Sequence, residues 1–107
     1  MSVHEVARRL KVSKQAVAKL YHGGKVLAWQ SQKKGALHFP SWQFAQGKRF
    51  DGLEEVLIKL NEAQILDDWG KIGFFLQNHG ILAGRRPVDL LREHRLELVM
   101  KAVEAYV

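Results

Sequence analysis

The sequence predicts a mainly α-helical protein that begins with two short helices and a β-hairpin and continues as a small helical module. Three patterns predict this: a helix-capping motif followed by an apolar stripe, alternating apolar residues on both sides of a Gly- and Lys-rich turn, and helical stripes from residue 53 onward. The 107 residues, 47% of them hydrophobic, suffice for one domain or two very small ones. Because two halves of about 50 residues would each be marginally stable alone, we expect them to pack together or to dimerise.

The first helix is predicted at the amino terminus. Ser2 and Glu5 have the spacing of a capping box, in which two side chains satisfy backbone N–H groups at a helix start. Apolar residues then recur at helical spacing: Val3, Val6, Ala7 and Leu10.

A second helix is predicted from the N-cap Ser13 to about His22, where two glycines end it. The small Ala7 marks where the two helices cross closely, and the space between them is expected to be filled by Val12, Val17 and Leu20. This arrangement resembles the helix-turn-helix motif. Lys11 stands where many members have Gly, so we expect a positive φ there at the cost of some strain.

The outer face of the second helix is the predicted DNA-reading surface. At 100° per residue, Gln15, Ala18, Lys19 and His22 point outward, with Lys14 at their edge and Ser13 at the helix start. Gln can pair with adenine edges in the major groove, and Lys can reach guanine or phosphate. The alternative is that these residues form an ordinary solvated helix face.

A β-hairpin is predicted from residues 26–30 and 36–39, joined by a turn over residues 31–35. With Lys33 and Lys34 at its tip it resembles the wing of a winged helix-turn-helix domain, placed to contact a phosphate backbone. The alternative is that these lysines only aid solubility. Trp29 and Phe39 alternate as in a half-buried strand, so we expect core positions and not base stacking.

The second half is predicted to be helical after a polar junction over residues 45–51. Amphipathic stripes place a helix at about residues 53–63, another after the acidic pair Asp67 and Asp68, a short one from Pro87 to Arg92, and a last one over residues 96–106. The inward set of the last helix is expected to be Val99, Val103 and Tyr106.

Charge divides the chain. Residues 1–49 contain ten Lys and Arg and one acid, a net +9, whereas residues 50–107 contain seven basic and ten acidic residues, a net −3. Such asymmetry is typical of a nucleic-acid-binding end joined to a segment with another role. We expect double-stranded DNA as the ligand; RNA fits less well because the aromatic residues match core positions.

Other function classes find little support. The chain has no Cys, which excludes disulfides and thiolate metal sites, and we predict no catalytic residue, no metal and no cofactor. His79 and His94 lack a supporting ligand motif, and no nucleophile–base pair or phosphate loop is present. No apolar run approaches the ~20 residues that span a bilayer, and no signal peptide is evident. We expect a cytoplasmic protein.

From Phe39 onward the chain resembles the toxin-binding domain of the Xre/MbcA/ParS-type antitoxin family of bacteria. The resemblance rests on residues 39–44 (Phe-Pro-Ser-Trp-Gln-Phe), Asp68-Trp69, residues 74–76 and, most specifically, residues 82–92 (Leu-Ala-Gly-Arg-Arg-Pro-Val-Asp-Leu-Leu-Arg). We expect Gly84 to permit a tight approach, Pro87 to start a helix, and three leucines to anchor this turn in the core: Leu82, Leu90 and Leu91.

This resemblance implies a helical domain that binds and neutralises a toxin, commonly of the RES type that degrades NAD, with an N-terminal helix-turn-helix that represses the shared promoter. The chain differs from the family in having a winged reader and in ending at Val107. The sequence and this resemblance together predict a DNA-binding domain over residues 1–45 and a toxin-binding and dimerisation domain over residues 46–107.

The predicted partner surface is the segment from Leu82 to Arg92, with Arg85, Arg86, Asp89 and Arg92 as contacts. The alternative is that Asp89, Glu93 and Glu97 neutralise these arginines internally. A homodimer is expected, because two readers double the contacts on a palindromic operator. The alternative function is a stand-alone helix-turn-helix regulator, or an excisionase-like architectural protein, whose helical half only self-associates.

Overall fold

The computed structural model describes residues 1–31, 35–63 and 67–106. Within these ranges it contains six α-helices and two two-stranded antiparallel sheets, so the predicted mainly α class is confirmed. The helices are α1 (Val3–Leu10), α2 (Lys14–His22), α3 (Leu53–Ala63), α4 (Asp68–Leu76), α5 (Pro87–Arg92) and α6 (Leu96–Tyr106). The strands are β1 (Trp29–Gln30), β2 (Leu37–His38), β3 (Phe44–Ala45) and β4 (Lys48–Arg49), and single 3-10 turns cover Ser41–Gln43 and Gly80–Leu82.

The capping box at the start of α1 is present as predicted. Ser2 Oγ accepts a hydrogen bond from Glu5 N at 3.2 Å, and Glu5 Oε1 accepts one from Ser2 N at 3.2 Å. Lys11 ends the helix with φ 58° and ψ 45°, the left-handed conformation expected at this position. The chain therefore turns within three residues into the next helix.

Helices α1 and α2 pack against each other as a helix-turn-helix pair. Ser13 caps α2 by accepting from Ala16 N at 3.0 Å, and Ala7 and Val17 are buried in the shared core. The expectation that Val12 fills the space between the helices is wrong, since its side chain is 43% exposed. Val12 belongs to the turn, where its backbone N–H donates to Ala7 O at 3.0 Å, and this places the side chain outside the pair.

The first hairpin pairs β1 with β2 within the two predicted strand segments, with Trp29 opposite His38. The strands are shorter than the predicted 26–30 and 36–39. Ser2 forms a further antiparallel bridge with His38, so the start of the chain lies along the outer edge of this hairpin. The predicted wing tip, Lys33 and Lys34, lies outside the described residues.

A second hairpin occupies the region that the sequence analysis took as a polar junction. β3 pairs with β4, and the two turn residues, Gln46 and Gly47, have φ of 54° and 76°. Two positive φ values in a two-residue connection are those of a type I′ turn, which suits the twist of paired strands. The predicted domain boundary between residues 45 and 46 therefore falls inside a hairpin.

The helical half follows the prediction closely, with two corrections. Leu82, Leu90 and Leu91 are buried and Pro87 opens α5. Gly84, however, has φ +79° and open space where a Cβ would lie, so the backbone conformation and not a tight approach requires glycine. Tyr106 is 38% exposed rather than inward; its ring meets the Phe74 ring edge-on, at the border of the core.

The two halves share a core, as expected for segments too small to be stable alone. Leu27, from the first half, belongs to the larger apolar cluster built mainly by α3 to α6. Gln43 is fully buried, and its side chain bonds both Leu27 N and Leu27 O at 2.7 Å. Trp42 adds a ring contact with Phe75, with centroids 5.7 Å apart. No helix in the described ranges is both long and apolar enough to cross a membrane.

Candidate DNA-binding surface

The outer face of α2 presents the side chains that the sequence predicted. Lys14, Gln15, Lys19 and His22 are exposed, and Ala18 between them is half-buried. Ser13 is also exposed; its oxygen caps the helix, and its O–H remains available as a donor to a phosphate. The face is thus one helical surface with two lysines, an amide and an imidazole.

The cations around this face are not neutralised within the described part of the chain. None of five residues lies within 4.0 Å of a carboxylate there: Arg8, Arg9, Lys11, Lys14 and Lys19. The only acid among residues 1–49 is Glu5. Its carboxylate is held by the capping box, where the hydrogen bond from the Ser2 backbone lowers its pKa. The surface is therefore strongly positive.

The aromatic residues of the first hairpin pack against the protein. Phe39 is fully buried, as predicted. Trp29 is half-buried and contacts His38 and Trp69, with ring centroids 5.5 and 5.1 Å away. Because Trp69 lies in the first turn of α4, these rings connect the hairpin to the helical half.

A polar network holds the carboxyl end of α2 against the helical half. Tyr21 Oη donates to Asp68 Oδ2 at 2.7 Å, and this bond raises the pKa of Tyr21 to about 12. Asn61 donates to Gly24 O at 3.2 Å and accepts from Lys71 Nζ at 3.1 Å. Gly24 has φ +71°, and a Cβ there would collide with the Asn61 amide.

This network was not predicted from the sequence. Tyr21 and Asp68 are 47 positions apart, and no local pattern signals that they meet. Asp68 was expected only to favour the start of a helix. The neighbouring Asp67 is the actual cap, accepting from Gly70 N at 2.7 Å.

The predicted partner-binding arginines are matched by acids inside the helical half. Arg85 pairs with Glu93, and Arg86 donates to both carboxylate oxygens of Asp89 at 2.8 and 3.1 Å. Arg92 lies 3.6 Å from the same Asp89. These bonds lower the pKa of both carboxyls. Internal neutralisation is thus seen for Asp89 and Glu93.

Glu97 does not take part in that neutralisation. It pairs with Arg95 at 3.1 Å, so its expected role toward the three arginines is wrong. Glu97 follows Arg95 by two residues at the start of α6, and this nearer cation captures its carboxylate.

Large apolar side chains are exposed on the helical half, outside the Leu82–Arg92 segment predicted as the partner surface. Trp69 is 59% exposed and Ile81 is 57% exposed. Trp69 lies on the predicted apolar stripe of α4, and Ile81 lies in the loop predicted after that helix. The packing of α4, and not the sequence, shows which side of the stripe is exposed. They are candidate contacts for a protein partner.

Within residues 1–31, 35–63 and 67–106, no group of three or more His, Asp or Glu is placed to hold a metal ion. His79 has a structural contact, with Nε2 2.9 Å from Phe74 O. His94 is an exposed residue with φ 59° in the α5–α6 turn.

The fold is similar to that of Rv2175c, a protein whose structure was determined by NMR. The TM-score is 0.79 at 22% sequence identity, and the match covers 97% of this chain and 78% of that one. No protein-family model matches the sequence. No curated protein matches it either. At this level of identity the similarity establishes the fold alone: a helix-turn-helix pair and two short hairpins joined to a four-helix module.

Proposed function

We propose that this protein is a DNA-binding transcriptional regulator that uses α2 to read an operator. One observation carries the proposal: the outer face of α2 is exposed and cationic, and its lysines have no carboxylate partner in the described chain. A positive surface without internal partners is suited to a polyanion, because binding releases condensed counterions and needs no internal ion pair to break.

The chemistry of the face favours duplex DNA over a nonspecific polyanion. In a helix-turn-helix the second helix enters the major groove with its amino-terminal residues at base edges. Lys14 and Gln15 occupy the first turn of α2, behind the Ser13 cap. Gln15 suits an adenine edge, whereas Lys14 and Lys19 suit guanine or phosphate. Lys33 and Lys34, which the sequence predicts at the tip of a wing, extend the proposal to a second set of backbone contacts.

Fluorescence anisotropy with a labelled duplex from the promoter of its own gene tests the proposal. We expect binding that weakens as salt rises, with log K falling by about 0.9 per phosphate neutralised for each unit of log salt concentration. Gln15→Ala should reduce the preference for the promoter over a scrambled duplex by about 1–3 kcal/mol if Gln15 reads a base. Absence of binding at low salt would refute the proposal.

The antitoxin resemblance extends the proposal to a toxin, of the RES type, bound by the helical half of a cytoplasmic bacterial regulator that acts as a homodimer. Exposed Trp69 and Ile81 support a protein contact there, because Trp is enriched in binding hot spots. The paired state of Arg85 and Arg86 argues for an apolar contact rather than the predicted arginine surface.

A tagged pull-down from the native host, followed by mass spectrometry, separates this from the alternative of a stand-alone regulator. A stoichiometric second protein that Trp69→Ala releases, while DNA binding persists, supports an antitoxin. Recovery of only the protein itself and DNA supports a stand-alone regulator whose helical half self-associates.

A further inference from the structure

The second hairpin lies directly beside the carboxyl end of α1. A side chain built at Gly47 would come within 3.6 Å of the carbonyl oxygen of Arg9. Arg9 is two residues before Lys11, where the chain turns into α2. The tip of the β3–β4 hairpin therefore borders the helix-turn-helix on the side where α1 ends.

This border is cationic. Arg9 is exposed and has no carboxylate within 4.0 Å in the described part of the chain, and Lys48 on β4 is 64% exposed. Behind the hairpin a cleft of about 220 Å³ is lined by further basic side chains, Arg92 and His94 among them. Among the described residues that line the cleft, Asp51 is the one acid, and Arg92 is paired outside the cleft with Asp89.

The two cations of the hairpin differ in how they are engaged. Arg49 donates to Lys25 O at 3.0 Å and lies 3.6 Å from Glu54, so it holds the hairpin to the rest of the fold. Among the described residues, the one partner of Lys48 is Asp51, at 3.4 Å, with both side chains more than 60% exposed. An ion pair as exposed as this one is weak, and Lys48 is the hairpin cation that a ligand can recruit.

The position of the hairpin matches the path of DNA on a helix-turn-helix. When the second helix enters the major groove, the first helix crosses the sugar–phosphate backbone that borders the groove. In this geometry the strand that α1 crosses can run past the carboxyl end of α1, where Arg9 and the hairpin tip lie together. We propose that the β3–β4 hairpin is a further phosphate-contacting element, in which Lys48, together with Arg9 of α1, contacts the DNA backbone beside α2.

This inference rests on the proposed DNA-binding function and adds a contact that helix-turn-helix geometry alone does not supply. Lys48 and Arg9 would contribute affinity without sequence preference, because a phosphate is the same at every base pair. Their contribution is therefore separable from that of Gln15.

Anisotropy titrations over a range of salt concentrations test the hairpin contact with three variants of the full chain. Arg9→Ala and Lys48→Ala should each weaken binding equally to promoter and scrambled duplexes, and each should reduce the salt slope by about 0.9. Lys101→Ala is the matched control: it removes one exposed cation from α6, outside this surface, and should leave the slope unchanged.

Asp51→Asn distinguishes a DNA contact from a structural role of the hairpin. If Lys48 serves only to stabilise the hairpin through Asp51, both Lys48→Ala and Asp51→Asn weaken binding or leave it alone. If Lys48 contacts phosphate, Asp51→Asn frees it and tightens binding by about two- to fivefold, the scale of an exposed ion pair. Thermal unfolding of each variant checks that the fold persists.

The possible failures separate the two proposals. If the wild type does not bind DNA, the proposed function and the hairpin contact both fall. If the wild type binds with a clear salt slope and none of the Arg9, Lys48 and Asp51 variants changes it, the hairpin contact alone is refuted.

Discussion

The helix-turn-helix end (residues 1–24) and the helical half (from residue 53 onward) differ in whether their positively charged side chains are paired with carboxylates. In residues 1–24 none of the five Lys and Arg residues has a carboxylate partner in the described structure, whereas from residue 53 onward six of the seven Lys and Arg residues have one. Lys101 is the exception.

This difference shows more than the sequence totals of +9 and −3. Net charge alone could reflect solubility, but paired and unpaired cations differ in what they offer a ligand. The arginines of α5 would have to leave Asp89 or Glu93 to bind anything new, while Lys14 and Lys19 exchange only water and ions. The contrast supports the proposal that the first region binds an anionic ligand and that the helical half makes an apolar contact.

The two regions differ in surface charge but share a hydrophobic core. Replacing Gln43 tests whether they unfold together. Gln43→Ala should destabilise the whole chain by about 2–5 kcal/mol, because it leaves both Leu27 N and Leu27 O buried without a partner. Urea unfolding followed by Trp fluorescence and by circular dichroism measures the change.

Gln30→Ala is the matched control, since the same truncation at an exposed position of β1 should cost far less. Both probes should report one coincident transition in the wild type and in Gln43→Ala. Two separated transitions in the wild type would mean that the regions are independent domains, as the predicted boundary at residue 45 implies.

Local signals allowed the helices to be predicted from the sequence. They did not predict the second hairpin, which occupies the predicted junction. Capping residues, the 3.6-residue apolar period and Pro87 gave the bounds of the helices to within a residue or so. The second hairpin has strands of only two residues, and its turn places Gln46 rather than Asn or Asp at a positive φ. Without those preferred residues, the hairpin signal was too weak to read.

The surface contrast itself is tested by removing equal charge from each region. Lys14→Ala with Lys19→Ala should lower promoter affinity by at least tenfold, since each lysine that contacts a base or phosphate contributes on the order of 1–3 kcal/mol. Lys59→Ala with Lys101→Ala removes the same charge from α3 and α6 and should leave affinity nearly unchanged. Anisotropy at one fixed salt concentration compares the two; equal losses would show that only net charge matters.

The exposed face of α2 was predictable because helical periodicity assigns each residue a direction. The contacts that fix α2 in place were not, because the Tyr21–Asp68 and Asn61–Gly24 bonds join segments far apart in the chain. Pairing of Arg85 with Glu93 was open for the same reason: it depends on how the turn at Gly84 directs the chain back toward α5.

The hydrogen bond between Tyr21 of α2 and Asp68 of the helical half should make the stability of the protein depend on pH in the alkaline range. Folding raises the pKa of Tyr21 from 10.0 to about 12 through its bond to Asp68, so this stabilisation is complete below pH 10 and is lost as pH rises through 12. Tyr21→Phe should cost about 1 kcal/mol near neutral pH and should lack that alkaline loss. Stability measured against pH tests this. The control is Tyr106→Phe, which removes a hydroxyl that makes no hydrogen bond among the described residues. This variant should match the wild type.

The smallest effect is expected at Arg85, because it is paired and exposed. Arg85→Ala should leave DNA affinity unchanged and lower the thermal unfolding midpoint only slightly at pH 7. The hydrogen bond from Arg85 lowers the pKa of Glu93 below 4.5, so the pair stabilises the fold above that pH and its contribution disappears as pH falls through the lowered value. The midpoints of variant and wild type should therefore converge in acid. If Arg85→Ala instead weakened DNA binding as much as Lys14→Ala does, a two-bond internal pair such as Arg85–Glu93 would not mark a cation as unavailable, and the division between the two regions would lose its physical basis.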